Sequence, residues 1–224
     1  MLPTQWKYFL SELIGVFALI FIGAGAAILS KQGDAVSYLG VALAFGVSVT
    51  CIIGGISTSS GAHLNPVVTL SLCATGRCSY RCLLYYTIAQ IIGACLASAA
   101  LFALFGQRIE AGTTRIGTGV SLANGFTVEI ILTFFLVLTV LRTTSALIIG
   151  SVVFLGALVG GYITGAGMNP ARSFGPALFS HHWENHWIYW LAPLSGALLA
   201  VLVFVLMDKP ATLPKCSDAE SKKS

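Results

Sequence analysis

Residues 61–70 read GAHLNPVVTL, and residues 165–178 read GAGMNPARSFGPAL. Both stretches place Asn-Pro after a Gly-Ala opening, in surroundings that are otherwise apolar. Asn-Pro favours the start of a turn. It is equally typical of a helix start, where Asn is the N-cap and Pro takes the first helical position. The choice between the two depends on the solvent that surrounds the chain.

The composition identifies that solvent. Only 9% of the 224 residues are charged, whereas 56% are hydrophobic and the mean hydropathy is +0.88. A soluble domain carries roughly 25% charged residues. Because so few charges cannot cover a globular surface in water, the composition predicts a protein embedded in the lipid bilayer. The formal net charge of +4 is too small and too dispersed to predict a nucleic-acid partner.

Six apolar runs have the length of a helix that crosses a bilayer, about 17–25 residues. They begin near Tyr8, Tyr38, Leu83, Phe126, Ala146 and Ile188. Two shorter runs, about 65–75 and 169–180, follow the Asn-Pro pairs and are too short to cross alone. The first long run has no small-residue cleavage site close behind a cationic start, which predicts a retained helix. The sequence therefore predicts an all-α membrane protein with six transmembrane helices and two half-helices.

The distribution of Lys and Arg predicts the orientation. With six spans, both termini share one face with the second and fourth connections. That face holds 8 of the 12 basic residues, namely Lys7, Arg77, Arg81, Arg142, Lys209, Lys215, Lys222 and Lys223. Basic residues accumulate on the cytoplasmic side of membrane proteins, so we expect both termini in the cytoplasm. The predicted organisation is one transmembrane channel domain, residues 1–208, and a cytoplasmic tail without fixed structure, residues 209–224.

The cysteines and histidines predict no disulfide, metal or cofactor. The six cysteines lie inside spans, near the cytoplasmic face or in the tail, away from any oxidising compartment: Cys51, Cys73, Cys78, Cys82, Cys95 and Cys216. CATGRC (73–78) is not a CxxC pair and has no His beside it, so a zinc site is not indicated. HHWENH (181–186) contains residue types that bind metals, but a solvated loop is the favoured interpretation.

The two Asn-Pro pairs belong to an internal repeat. Glu12 in SELIGVFALIF matches Glu129 in TVEIILTFFLV, and AQIIGA (89–94) matches APLSGA (192–197). Each half, about 6–106 and 122–208, therefore contains three spans with a short Asn-Pro element after the second. Because three is odd, the second half crosses the membrane upside down relative to the first. Inverted repeats with broken helices are a recurring architecture of membrane transport proteins.

Two half-helices entering from opposite faces would bring Asn65 and Asn169 together as N-caps. Each helix N-terminus carries a partial charge of about +0.5, which repels cations and hydronium. The Asn amide N–H₂ groups would point into a lumen and donate to water or another neutral molecule. A single-file water oriented in this way lacks the aligned acceptor that a proton relay needs. The Gly- and Ser-rich loops suit irregular backbone that lines a water-filled path.

HLNPVVTL and MNPARSFGPA, in an inverted repeat of six spans, resemble the aquaporin (major intrinsic protein) family over roughly residues 6–208. The resemblance implies a homotetramer in the lipid bilayer with one pore per subunit. It also implies a central pore region, with Val67 where Ala is usual, formed by Asn65, Pro66, Val67, Asn169, Pro170 and Ala171.

The resemblance further implies a selectivity filter formed by Phe45, Ala157, Ala166 and Arg172. Water-selective members usually have His at the position of Ala157, so this filter is expected to be wider and less polar, as in plant tonoplast-type channels. Three markers nevertheless place the chain with aquaporins proper and apart from glycerol facilitators: Ser173, Ala177 and the pair Tyr189-Trp190. An Arg inside a membrane protein also marks a functional position on physical grounds alone.

Glu12 and Glu129 are carboxylates inside predicted spans. The resemblance implies that they hold backbone N–H groups of the irregular loops, with His63 lining the pore vestibule or packing against its loop. A proton-relay role is the alternative, but neither carboxylate has a cationic or His partner beside it in sequence.

The predicted function is a passive water channel that excludes protons and cations and also passes small neutral solutes such as ammonia, urea or hydrogen peroxide. The alternative is a channel of the same fold that passes a solute or an anion and has low water permeability. A secondary transporter would need coupling-ion sites, and neither short element carries an acidic residue. An enzyme is not indicated, because the spans contain no nucleophile–base pair or metal cluster.

Overall fold

Eight α-helices and one 3₁₀ helix form the part of the chain that the computed structural model describes, residues 4–31 and 36–207. The helices are α1 (Thr4–Ser30), α2 (Tyr38–Ser60), α3 (Pro66–Ala74), α4 (Tyr80–Phe105), the 3₁₀ helix (Gly106–Gly112), α5 (Leu122–Arg142), α6 (Ala146–Thr164), α7 (Pro170–Ser180) and α8 (Ile188–Met207). Six of them are long and apolar enough to cross a membrane. The predicted fold class is confirmed, while the predicted tail, residues 209–224, lies outside the described residues.

Serine N-caps set the starts of the long helices. Ser79 accepts a hydrogen bond from the backbone N–H of Arg81, and Ser121 accepts one from Asn124. These caps satisfy N–H groups that have no partner within the helix. Helices α4 and α5 therefore begin a few residues before the apolar runs that predict them, because capping rather than hydropathy determines the first turn.

The two halves of the chain pack in matching ways. Helix α1 packs against α4 in the first half, α5 packs against α8 in the second, and α2 packs against α6 across the two halves. Gly93 of α4 lies directly against the carbonyl of Leu13, and Gly196 of α8 lies against the carbonyl of Ile130 in the same way. A side chain at either glycine would force the helices apart, so small residues permit the close packing that membrane helices use.

The half-helices α3 and α7 begin inside the bundle, where they contact each other. The loops that lead to them have matching backbone conformations. Positive φ angles occur at Ala62 and Leu64 in the first loop and at Ala166 and Met168 in the second, all between 48° and 58°. Such angles cost a non-glycine residue about 1–3 kcal/mol each and persist only where surrounding contacts impose them. The contacts that impose them involve the two buried glutamates.

Candidate functional site

Glu12 of α1 organises the first loop. It is fully buried, and its Oε1 accepts hydrogen bonds from the Ser60 hydroxyl (2.7 Å) and the His63 backbone N–H (2.9 Å). Its Oε2 accepts from the Leu64 backbone N–H (2.7 Å) and from the Gln90 side-chain amide (2.8 Å). Both carboxylate oxygens are thus used to fix the backbone just before Asn65.

Glu129 of α5 organises the second loop in the same way. It is also fully buried, and its Oε1 accepts from the Thr164 hydroxyl (2.6 Å) and the Gly167 backbone N–H (2.7 Å). Its Oε2 accepts from the Met168 backbone N–H at 2.8 Å. Both glutamates therefore lie where loop-supporting residues would lie.

A tyrosine completes each loop support. The hydroxyl of Tyr86 donates to the carbonyl of Ser60 at 2.8 Å, and that of Tyr189 donates to the carbonyl of Thr164 at 2.7 Å. These bonds satisfy carbonyls at the ends of α2 and α6, where the helical hydrogen bonds stop. Neither tyrosine is recognisable as a loop support from sequence spacing, because each bond joins residues more than twenty positions apart.

Asn65 and Asn169 cap the two half-helices. The side-chain oxygen of Asn65 accepts from the Val67 N–H at 3.0 Å, and that of Asn169 accepts from the Ala171 N–H at 3.0 Å. Pro66 and Pro170 follow as the first helical residues. The helix starts that the sequence predicts at both Asn-Pro pairs are present.

The two asparagines also tie the halves together. The amide nitrogen of Asn65 donates to the carbonyl of Met168 (2.8 Å), and that of Asn169 donates to the carbonyl of Leu64 (2.7 Å). Sequence reasoning assigned both amide N–H groups to a lumen and missed this reciprocal bond. An amide has two N–H donors, so one on each asparagine is used across the halves and a second remains for another acceptor.

Both asparagines line one cavity of about 1140 Å³. Its lining extends from Lys31 and Thr118 at one end of the bundle to Arg77 and Thr144 at the other. Of the residues that the sequence assigns to a pore, the cavity is lined by Phe45, His63, Asn65, Ala157, Ala166, Asn169 and Arg172. Pro66, Val67, Pro170 and Ala171 are buried residues that do not line it.

Arg172 follows the second Asn-Pro pair and is only 5% exposed. Its Nη1 donates to the carbonyl of Gly112 at 2.8 Å, and its guanidinium lies 4.8 Å from the centre of the Phe45 ring. The Nε has no hydrogen-bond partner among the described residues. The 3₁₀ helix that supplies Gly112 has no clear signal in the sequence, so this anchor could not be predicted.

Ala157 and Ala166 complete the group around Arg172. Both are nearly buried, and both place only a methyl group on the cavity. The backbone of α6 is fixed here by Tyr38, whose hydroxyl donates to the carbonyls of Ala157 (3.1 Å) and Leu158 (2.8 Å). The four residues Phe45, Ala157, Ala166 and Arg172 all line this cavity, and their assignment to one filter stays a prediction.

His63 precedes its asparagine, Asn65, in the sequence, whereas Arg172 follows Asn169. Its Nδ1 is 3.2 Å from the hydroxyl of Thr69, and its ring packs edge-on against Tyr86 with centroids 4.8 Å apart. His63 thus lines the cavity and contacts α3 and α4.

Within residues 4–31 and 36–207, no group of three or more His, Cys, Asp or Glu side chains is arranged to hold a metal ion. The five cysteines in those ranges are free thiols. The described lining of the cavity combines polar groups with apolar side chains.

Comparison with known proteins agrees with this geometry. The family model described as Major intrinsic protein matches residues 2–204. The chain is 37% identical over 223 residues to Aquaporin-1 of Homo sapiens, covering 92% of this chain and 83% of that protein. It is 36% identical over 231 residues to Probable aquaporin TIP3-2 of Arabidopsis thaliana, covering 93% and 86%.

A solved structure shares the fold. The aquaglyceroporin from Plasmodium falciparum superimposes with a TM-score of 0.82 at 23% sequence identity, covering 89% of this chain and 95% of that one. The family match extends over nearly the whole chain, and six apolar helices are present. The chain is therefore an integral, multi-pass membrane protein that belongs to the major intrinsic protein family, a family of channels for water and small solutes.

Proposed function

We propose that this chain is a passive channel that passes water together with ammonia, urea and hydrogen peroxide, and that it excludes protons and cations. The observation that carries the proposal is the position of Asn65 and Asn169. They cap two half-helices that meet inside the bundle. Both asparagines line a cavity whose lining extends from one end of the bundle to the other. A neutral molecule with lone pairs fits this arrangement best.

Charge exclusion follows from the helix ends. The N-termini of α3 and α7 each place a partial charge of about +0.5 beside the cavity. Arg172 adds a buried positive charge on the same wall. Among the described residues that line the cavity there is no carboxylate to replace the hydration shell of a cation, whereas water can accept a hydrogen bond from the remaining N–H of each asparagine.

The breadth of the solute range rests on two small side chains. Ala157 and Ala166 line the same cavity as Arg172, and a larger polar side chain at either position would occupy part of its volume. Arg172 retains donors for a carbonyl or hydroxyl oxygen of a solute, because a guanidinium has five N–H groups and the bond from Nη1 to Gly112 uses one of them. We therefore assign Phe45, Ala157, Ala166 and Arg172 as the selectivity filter, and expect it to admit urea.

The same proposal includes an orientation and an assembly. Both termini lie in the cytoplasm, on the face with most of the basic residues. The subunits form a homotetramer with one pore each, and the outer helix faces carry large exposed apolar side chains that can contact lipid or a neighbouring subunit, such as Leu84, Leu104 and Leu147.

Stopped-flow light scattering on reconstituted proteoliposomes tests the function directly. Shrinkage in an impermeant osmotic gradient measures water flow, and recovery in urea or glycerol gradients measures solute flow. We expect fast water flow and fast urea flow with little glycerol flow. Water flow without urea flow would refute the wide filter. Urea flow without water flow above that of empty liposomes would instead support a solute channel of the same fold.

A further inference from the structure

Three cysteines converge on one backbone carbonyl at the end of the first half-helix. The Cys73 thiol donates to the carbonyl oxygen of Ser79 at 3.4 Å, and the Cys78 thiol lies 3.6 Å from the same oxygen. The backbone N–H of Cys82 donates to it as well, at 2.8 Å. The sulfur atoms of Cys73 and Cys78 therefore both lie within 3.6 Å of one oxygen.

The chain between these two cysteines turns back on itself. Gly76 adopts a left-handed conformation with φ of 73°, and the N–H of Arg77 donates to the carbonyl of Leu72 at 2.8 Å. This closure is the Schellman motif, which returns the chain to the last turn of a helix. It brings Cys78 back beside Cys73, although five positions separate them in sequence.

The third thiol, that of Cys82, is also a neighbour of Cys78 and in addition contacts a tyrosine. The sulfur of Cys82 lies 3.2 Å from the hydroxyl of Tyr85 within the same helix. Cys73 is buried on α3, whereas Cys78 is partly exposed on the connection to α4. A reagent from solution therefore reaches Cys78 before it reaches Cys73.

We propose that Cys73 and Cys78 form a reversible dithiol–disulfide site, with hydrogen peroxide as the oxidant. The thiolate of Cys78 attacks one peroxide oxygen, the O–O bond breaks, and a sulfenic acid and hydroxide result. The Cys73 thiol then attacks that sulfur, so that an S–S bond forms, the S–O bond breaks and water leaves. Two thiols lose two electrons in total, and one peroxide becomes two waters.

The site lies at one mouth of the cavity. Arg77, between the two cysteines, lines the cavity, donates to the carbonyl of Leu141 at 2.8 Å and lies 4.9 Å from the ring centre of Phe204. Disulfides on a cytosolic face are typically transient and redox-sensing. The reaction needs peroxide only at this mouth of the cavity. The dithiol proposal therefore does not depend on whether peroxide crosses the pore.

The reaction is expected to be slow at neutral pH. Burial, together with the neighbouring Cys82 and Cys73, raises the pKa of the Cys78 thiol to about 12. Only the thiolate is nucleophilic, so the rate should rise as the pH is raised. A rate that does not depend on pH would contradict attack by Cys78.

Trypsin separates the three thiols, which makes the pairing measurable. Cleavage after Lys31, Arg77, Arg81 and Arg108 places Cys73 in peptide 32–77, Cys78 in peptide 78–81 and Cys82 in peptide 82–108. The test uses the reconstituted full chain carrying Cys51→Ser and Cys95→Ser, so that each peptide contains one cysteine. After peroxide treatment and alkylation of free thiols, mass spectrometry identifies which peptides are linked.

We expect peptide 78–81 to be linked to peptide 32–77 in the monomer band of a non-reducing gel, and dithiothreitol to release it. The link should be lost in Cys73→Ser and Cys78→Ser but kept in the matched control Cys82→Ser. Gel filtration of each variant before treatment confirms that it is folded. A link to peptide 82–108, a link only between two chains, or complete alkylation of Cys73 and Cys78 after peroxide would overturn the proposal.

Discussion

The two loops that lead to the half-helices are held alike, but their residues around the cavity differ. Glu12 and Tyr86 fix the first loop with the same types of bond that Glu129 and Tyr189 use in the second. After the two Asn-Pro pairs, however, Val68 in the first half corresponds to Arg172 in the second. His63 before the first pair corresponds to Gly167 before the second.

The shared bonds and the unmatched residues have different roles. A side chain on Gly167 would collide with the ring of Tyr189, so the second loop has no room for a counterpart of His63. In the first half the imidazole of His63 lines the cavity, and no cationic residue is near Asn65 in the sequence. In the second half the guanidinium of Arg172 lines the cavity. The shared bonds position the helix ends, and the unmatched residues give each end of the cavity its own chemistry.

The shared supports should produce the largest effect. Glu129→Ala leaves the N–H groups of Gly167 and Met168 without their acceptor. Each buried donor left unpaired costs about 1–3 kcal/mol. We expect the free energy of unfolding to fall by about 3 kcal/mol or more in Glu129→Ala, and by a similar amount in Glu12→Ala. Thermal unfolding in detergent measures both.

Glu110→Ala is the matched control for both. Glu110 is exposed and pairs with Arg115 at the surface, and such pairs contribute about 0–1 kcal/mol. If Glu129→Ala unfolds at the temperature of Glu110→Ala, the carboxylate does not hold the loop.

Arg172 tests the difference between the halves. Arg172→Ala removes the cation and its donors from the cavity wall, so we expect glycerol and urea flow to rise about tenfold, equivalent to 1.4 kcal/mol of barrier. Val68→Ala, the matched change in the first half, should leave solute flow unchanged. Stopped-flow light scattering on folded, reconstituted variants measures both. Equal increases in the two variants would show that space, and not the guanidinium, sets the barrier.

Ala157 tests the same comparison at another residue that lines the cavity. Ala157→His adds a ring to the cavity where Tyr38 already fixes the backbone. We expect urea flow to fall about fivefold and water flow to change less, because the larger solute meets the added ring. Ala157→Ser, which adds a single atom, should retain urea flow. An unchanged urea rate in Ala157→His would remove Ala157 from the filter.

The smallest effect concerns the connection after α7. His186 packs against Trp183 and Phe174, and burial lowers its pKa, with the nearby His182 lowering it further. The unfolded chain therefore binds this proton more readily, so stability is complete above the ordinary pKa of about 6.5 and decreases as pH falls below it. We expect a loss of stability on acidification that His186→Phe abolishes.

His181→Asn serves as the control for that pH dependence, because His181 is exposed and Asn tolerates its left-handed backbone. Unfolding curves recorded across the acidic range compare the variants. A pH slope that persists unchanged in His186→Phe would assign it to other groups.

Local signals in the sequence predict much of this molecule. The six spans follow from apolar runs, and the half-helices follow from the capping chemistry of Asn65-Pro66 and Asn169-Pro170. The opposite orientation of the halves follows from three spans in each. These features depend on residues close together in the chain, where composition and spacing carry the information.

Contacts between distant residues could not be predicted in this way. The bonds from Asn65 to Met168 and from Arg172 to Gly112 join different elements, and the second depends on a 3₁₀ helix without a clear sequence pattern. The left-handed angles of Leu64 and Met168 likewise arise from the buried glutamates and not from local preference. The sequence therefore proposes the residues of the site but does not reveal the bonds that fix them.

The central claim is that two helix N-termini and two asparagines let water pass and stop protons. The most direct measurement records osmotic water flow and proton flow in the same proteoliposomes, with a pH-sensitive dye inside. We predict water flow well above that of empty liposomes and proton flow equal to theirs, with a proton leak appearing when Asn65→Asp and Asn169→Asp are combined. Proton flow that rises with water flow in the unaltered protein would contradict the account.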